Sequence, residues 1–332
     1  MKFHLMVLFL FIPLWAASAG GSSERRQPPL APMENQPIAM QVSYPYDKTP
    51  EQKNLEPQII VETRAETIFR ALAQAYPDRV RKIEFYDGDW TIVVYGERFF
   101  YASGRLLPAS LRDRAYDFAP LPFYSFVKEL PPWTPPTEEE SARMREIMQL
   151  RQTRQVPRAP YFFDTLWRSR NRDEAWEQVK SIRFLGHWTT VHNSILTQLS
   201  LVEQHILRAA RTDAEIRRWI DNIASVGGWS WRNIASTGNR SFHAYGAAID
   251  ILPRSNQGLA VYWLWTARYN PEWWTVPFSK RLHPPEEVVR IFQSFGFIWG
   301  GKWRFFDTIH FEYRPEILIL NNIPLKDLRD LR

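Results

Sequence analysis

The chain has 332 residues and no cysteine. Disulfides, a thiol nucleophile, a thiolate metal site and a lipid anchor on an N-terminal cysteine are therefore excluded. Past the N-terminal segment, no apolar run is long enough to span a bilayer. The lysines and arginines are scattered, with no basic tract. The formal net charge of +6 thus suits acidic surfaces or substrates, and no nucleic-acid partner is expected. There is no internal repeat, no His-Glu-x-x-His helix and no Gly-x-Ser-x-Gly elbow.

What is present reads as a globular chain, 45% hydrophobic and 23% charged, of a length for one or two domains. Its 15 Trp, 13 Tyr and 21 Phe point to a core of large rings; the other reading is exposed rings that stack on sugar or peptide. Residues 1–19 have the layout of a secretory signal: Lys2, the apolar stretch Leu5–Trp15, then the small residues Ala17-Ser18-Ala19. Removing that segment, whose one charge is Lys2, changes +6 to +5. The expectation is an exported protein, periplasmic or bound to the cell envelope, with no stable membrane span once the signal is gone. An uncleaved anchor is the alternative.

Residues 20–56, rich in Pro, Gln, Ser and Asn, read as a flexible tether. Residues 57–130 read as a small α+β module. A helix runs from Pro57 to about Ala73. Three β-type runs follow, Arg81–Tyr86, Trp90–Tyr95 and Arg98–Ala102, separated by turn residues. Residues 131–160 form a Pro-rich linker around a helix opened by a Thr137/Glu140 capping box. Residues 161–332 read as an α+β domain with a small antiparallel sheet and flanking helices. In it Ser194–Ala210 is a helix with Ile195, Leu199, Val202 and Ile206 on one face. A second capping box, Thr212/Glu215, opens a helix that ends before Gly227-Gly228.

Of the seven histidines, His4 lies in the signal. His187, His192, His205 and His283 lack an acidic or histidine partner at ligand spacing and read as surface or satisfied core residues. His243 and His310 differ. His243 precedes Gly246 and an apolar run through Ile249 and Ile251 that reads as a buried strand carrying Asp250. A buried acid needs a compensating cation, so Asp250 is either paired with Arg or Lys or bound to a metal. His310 sits among aromatic and β-branched residues, three positions after Asp307. It shares a strand face with Glu312. Two imidazoles and a carboxylate suit catalytic zinc with an open fourth position. A second carboxylate then handles protons: Asp307, with Glu312 in reserve. The competing reading is a set of buried polar residues without a metal.

These segments resemble the D-alanyl-D-alanine metallopeptidases, which include VanY-type carboxypeptidases and L-alanyl-D-glutamate endopeptidases and belong with hedgehog and lysostaphin-type domains. The pattern Ser-x-His-x-x-Gly-x-Ala-x-Asp is met by Ser241, His243, Gly246, Ala248 and Asp250. The second pattern, an acid, two residues, then His, is met by Asp307 and His310. The stretch Phe297–Trp303 resembles the endopeptidase branch. The resemblance covers about residues 185–315. It implies one Zn²⁺ held by His243, Asp250 and His310, with Asp307 as general base. It also implies an upstream arginine for substrate or oxyanion: Arg232, with Arg240 as competitor. Many carboxypeptidase members carry Glu where this chain has Asp307, which leaves the bond cleaved open. Ser241 is expected to orient a ligand rather than attack. Tyr245, Trp299 and Trp303 either line the cleft or pack. The implied activity is a peptidase acting on peptidoglycan peptides. The alternatives are a non-catalytic envelope module that binds wall peptide or a partner, and a protein with a purely structural metal.

Overall fold

The computed structural model describes residues 57–153, 156–234 and 236–326. The expected signal (1–19) and tether (20–56) lie outside the described residues. The first helix, α1 (Pro57–Ala75), presents Ala65, Ile68, Phe69 and Leu72 at successive helical turns, and all four are buried. Four strands follow as an antiparallel meander: β1 (Val80–Tyr86), β2 (Asp89–Val94), β3 (Glu97–Ala102) and β4 (Arg105–Leu107). Three of them are the β-type runs of the sequence; β4 is an addition that the short segment did not announce.

Helix α2 (Glu138–Thr153) opens on the expected capping box. The Glu140 amide donates to Thr137 Oγ1 (3.2 Å), and the Thr137 amide donates to Glu140 Oε2 (2.7 Å). After α3 (Tyr161–Leu166) and α4 (Arg172–Glu177) comes a hairpin, β5 (Val179–Phe184) and β6 (His187–His192). Helix α5 (Leu196–Ala209) buries Leu199, Val202 and Ile206, the face read from its spacing.

The second capping box is a correction. Helix α6 (Ala214–Asp221) is capped by Asp213, whose Oδ1 accepts from the amides of Glu215 (2.7 Å) and Ile216 (3.2 Å). An ionised carboxylate one residue nearer the helix outcompetes the Thr212 hydroxyl for those donors. The helix also stops earlier than read, because Ile223–Gly227 is strand β7, with Ile223 and Val226 buried in a sheet. Local helical pattern yielded there to tertiary pairing.

That sheet holds the site. Its order is β7, β8 (Ala248–Pro253), β10 (His310–Tyr313), β9 (Phe297–Trp299), all pairs antiparallel. Between β8 and β9 lie α7 (Trp263–Thr266) and α8 (Glu286–Ser294), and α9 (Pro315–Leu320) follows β10 and packs against α1. The architecture is α+β: small antiparallel sheets with flanking helices. One hydrophobic cluster runs from Ala65 and Leu106 through Leu199 and Phe292 to Ile323, so residues of the first meander and of the site-bearing sheet share a core. A second cluster joins Met144 of α2 to Trp263, Trp273 and Phe306. Among the described residues most of the rings lie in these cores; Phe85, Tyr86, Tyr116, Tyr161, Trp176, Trp188, Trp265 and Tyr269 are exposed.

The bend between His243 and β8 is built by Gly246, at φ 68°. A Cβ there would lie 2.8 Å from the His192 amide nitrogen and 2.8 Å from Val179 Cγ1. Left-handed backbone costs an L-residue roughly 1–2 kcal/mol, and the clash adds to it. Gly246→Ala is therefore expected to destabilise the protein by about 2 kcal/mol or more. The urea-unfolding midpoint checks this, and a wild-type midpoint would refute the packing described.

Candidate metal centre

The register of the sheet decides which polar residues meet. His310 of β10 pairs directly with Asp250 of β8. Directly opposed residues of an antiparallel pair project to one face, with side chains in reach of each other. His310 Nδ1 lies 2.9 Å from Asp250 Oδ1. The flanking residues Ile249, Ile251 and Phe311 point the other way and are buried.

His243 arrives from outside the sheet. It sits on a single 3₁₀ turn, Phe242–Tyr245, whose start is capped by Ser241 Oγ accepting from the His243 amide (3.3 Å). Gly246 ends the turn, and the ring folds over Asp250 with Nε2 3.1 Å from Oδ1. Its Nε2 is also 3.2 Å from His310 Nδ1. One ligand atom from each of His243, Asp250 and His310 thus falls within 4.8 Å of the other two. This is the one group of three or more candidate ligands among the described residues.

The outer nitrogens identify the tautomers. His243 Nδ1 donates to the carbonyl of Gly228 (2.7 Å), and His310 Nε2 donates to Glu312 Oε2 (3.1 Å). With those protons outside, the neutral rings turn two lone pairs and a carboxylate oxygen toward one point. Nothing in that trio can donate, so the arrangement calls for a cation or a proton between them. Burial opposes charge on His310, yet hydrogen bonds to Asp250 and Glu312 push its imidazole up to about 10. Burial likewise works against ionised Asp250, but the hydrogen bonds and charges of His243 and His310 hold it below the usual carboxylate range. A donor set of two imidazole nitrogens, each steadied by an outer partner, and one carboxylate fits a zinc-type ion.

Asp307 stands on the turn before β10. Its amide donates to Gly300 (3.0 Å), and its segment bridges to Tyr262. Its Oδ1 is buried and has no hydrogen-bond partner. Burial pushes its carboxyl up to about 7; the Asp250 charge adds to this, while His310 and Arg232 oppose it. A carboxyl near 7 with an unengaged oxygen suits proton transfer at neutral pH. Arg232 lies at the open side of the cluster, Nη2 3.9 Å from Asp250 Oδ2, with its side chain 48% exposed. Arg240 is engaged elsewhere: it stacks on Trp231 and faces Asp164 at 3.5 Å.

The remaining candidates separate by contact. Glu312 sits on the outer edge of the His310 ring, with its other oxygen accepting from Arg314 (3.3 Å). Trp303 lies 5.4 Å from the His310 ring. Trp299 is buried and donates to Thr308, and Tyr245 is buried and donates to Asp164, so both are packing residues here. His192 is a satisfied core histidine, between the Trp167 carbonyl and Ser194. Sequence reasoning missed Gly228 and Arg314. The sequence pattern places Gly228 beyond the end of a helix. Only its close approach to Thr190, whose carbonyl a Cβ would meet at 2.2 Å, marks it as part of the site's frame.

Comparison with known proteins agrees with this geometry. Residues 235–313 match the family model described as D-alanyl-D-alanine carboxypeptidase. That span includes His243, Asp250, Asp307 and His310, and Arg232 lies just before it. Residues 68–123, which contain the meander, match a model for a domain of unknown function. No curated protein and no solved structure matches the chain. The segment 235–313, where the clustered histidines and aspartate lie, is thus similar to the D-alanyl-D-alanine carboxypeptidase family.

Proposed function

We propose that the protein is an exported zinc peptidase that hydrolyses peptide bonds in peptidoglycan peptides, in the manner of a D-Ala-D-Ala carboxypeptidase or an L-Ala-D-Glu endopeptidase. The observation that carries this reading is the convergence of His243, Asp250 and His310 beside a buried, unengaged Asp307 oxygen. The apolar stretch and small residues at the N-terminus support export to the periplasm or envelope.

His243 Nε2, Asp250 Oδ1 and His310 Nδ1 would hold one ion. When bound, it supplies Lewis-acid polarisation of a peptide carbonyl and eases deprotonation of water near neutral pH. Asp307 takes the proton from the attacking water on its carboxylate and returns it to the departing amine. Arg232, exposed beside Asp250, donates to the developing negative oxygen or to a substrate carboxylate. Gly228 and Glu312 fix the tautomers of the two imidazoles. Glu312 faces the outer nitrogen of His310 rather than the cluster, so it would not be among the residues holding the ion.

Ion binding to the folded state alone raises stability by about 2.7 kcal/mol at a hundredfold excess over Kd. Thermal unfolding is expected to fall when a chelator strips the protein and to recover with Zn²⁺; His310→Ala abolishes that response. An unfolding temperature indifferent to chelator and zinc would remove the metal from the reading. Asp307→Asn is expected to keep zinc affinity and lose about 10²–10⁴-fold in kcat on muropeptides. Full activity in that variant would overturn the base assignment. Arg232→Ala is expected to lower kcat/KM by about 10²–10³-fold. Mass spectrometry of a muropeptide digest checks this rate and identifies the bond cut. Zinc binding with no cleavage of any wall fragment would favour a binding module instead.

A further inference from the structure

His310 is connected to the region that matches the domain of unknown function. Its Nε2 donates to Glu312 Oε2 (3.1 Å), and Glu312 Oε1 accepts from Arg314 Nη1 (3.3 Å). Arg314 Nε donates to Glu316 Oε1, and Glu316 Oε2 accepts from the hydroxyl of Tyr76 (2.8 Å). Tyr76 directly follows α1, and it lies inside the matched span 68–123. A second grip comes from the same span: Arg314 Nη2 donates to the Pro122 carbonyl (3.0 Å). The Arg314 guanidinium also lies over the ring of Phe242, the neighbour of His243, at 4.6 Å.

Every member of this chain is buried: Tyr76 1%, Glu312 7%, Arg314 1% and Glu316 0% exposed. Such a network is costly unless each group is paired, and here each is. Two carboxylates flank the Arg314 guanidinium, and the Glu312 charge sits on the outer side of the His310 ring. That charge strengthens the imidazole as a donor to a cation on its inner side, as partners behind metal-bound histidines do.

We propose that Tyr76 and Glu316 are positioning residues for the metal centre. They act through Arg314 and Glu312 on the ring of His310, which makes the 68–123 segment a working part of the site. This inference rests on the metal-centre reading above. If it holds, the strength of metal binding depends on a hydroxyl that belongs to the N-terminal segment and touches no ligand.

The test is zinc affinity of the metal-free full-length chain, measured by competition with a chromophoric chelator, with Co²⁺ absorption as a second readout. Glu312→Gln is expected to weaken zinc binding by about 10–100-fold. Tyr76→Phe, which removes one oxygen, is expected to weaken it about threefold or more and to shift the Co²⁺ bands. Tyr101→Phe is the control: it removes a buried hydroxyl from β3 with no link to His310, and affinity stays at the wild-type value. The proposal is overturned if Tyr76→Phe binds zinc as the wild type does, or if Tyr101→Phe weakens binding equally. Should Glu312→Gln fail to fold, the Tyr76 and Tyr101 pair still decides. Absence of zinc binding in the wild type would instead sink the metal-centre reading itself.

Discussion

The pairing of His310 with Asp250 across two antiparallel strands is the contact on which the centre is built. Register in a sheet is all or nothing: a slip of one residue would turn His310 into the core and bring Phe311 to the site. The apolar residues on the reverse face, Ile249, Ile251 and Phe311, prevent the slip, because each has somewhere dry to go and no way to be satisfied elsewhere. The hydrophobic alternation of β8 and β10 thus does more than stabilise a sheet. It aims two polar side chains at the same point.

The third member of the cluster is held by different means. His243 stands on a short 3₁₀ turn, a weak element by itself. It is held by a cap from Ser241, a left-handed bend at Gly246, and the donation from its own Nδ1 to Gly228. A strand-borne pair, Asp250 and His310, and a turn-borne partner, His243, make up the cluster.

The centre is also backed from behind. Glu312 and Arg314, two and four residues after His310, continue inward to Glu316 and Tyr76 rather than toward the cluster. The α1–α9 contact carries that connection, and the shared hydrophobic core keeps it dry. Low local polarity raises the worth of each hydrogen bond and the penalty for leaving one out. The segment 68–123 therefore reaches the outer side of His310 through Tyr76 and Pro122, although it contributes no member of the His243–Asp250–His310 cluster.

Much of this was legible in the chain before folding. The strands of the meander, the face of α5 and the cap of α2 follow from periodicity and from side chains that bond their own backbone, which are short-range effects. The candidates His243, Asp250, His310 and Asp307 were legible because polar groups embedded in apolar runs need a stated reason to be there. Two local readings failed, the Thr212 cap and the end of α6, and both failed by proximity: Asp213 stood closer, and β7 claimed the residues beyond Asp221. Spacing alone could not say that Glu312 would sit behind His310 instead of beside Asp250, that Gly228 would accept from His243, or that Tyr76 would reach Glu316 across 240 residues. Those contacts have no local cause. They exist because strand register and helix packing bring distant backbone together, and only the folded chain holds that information.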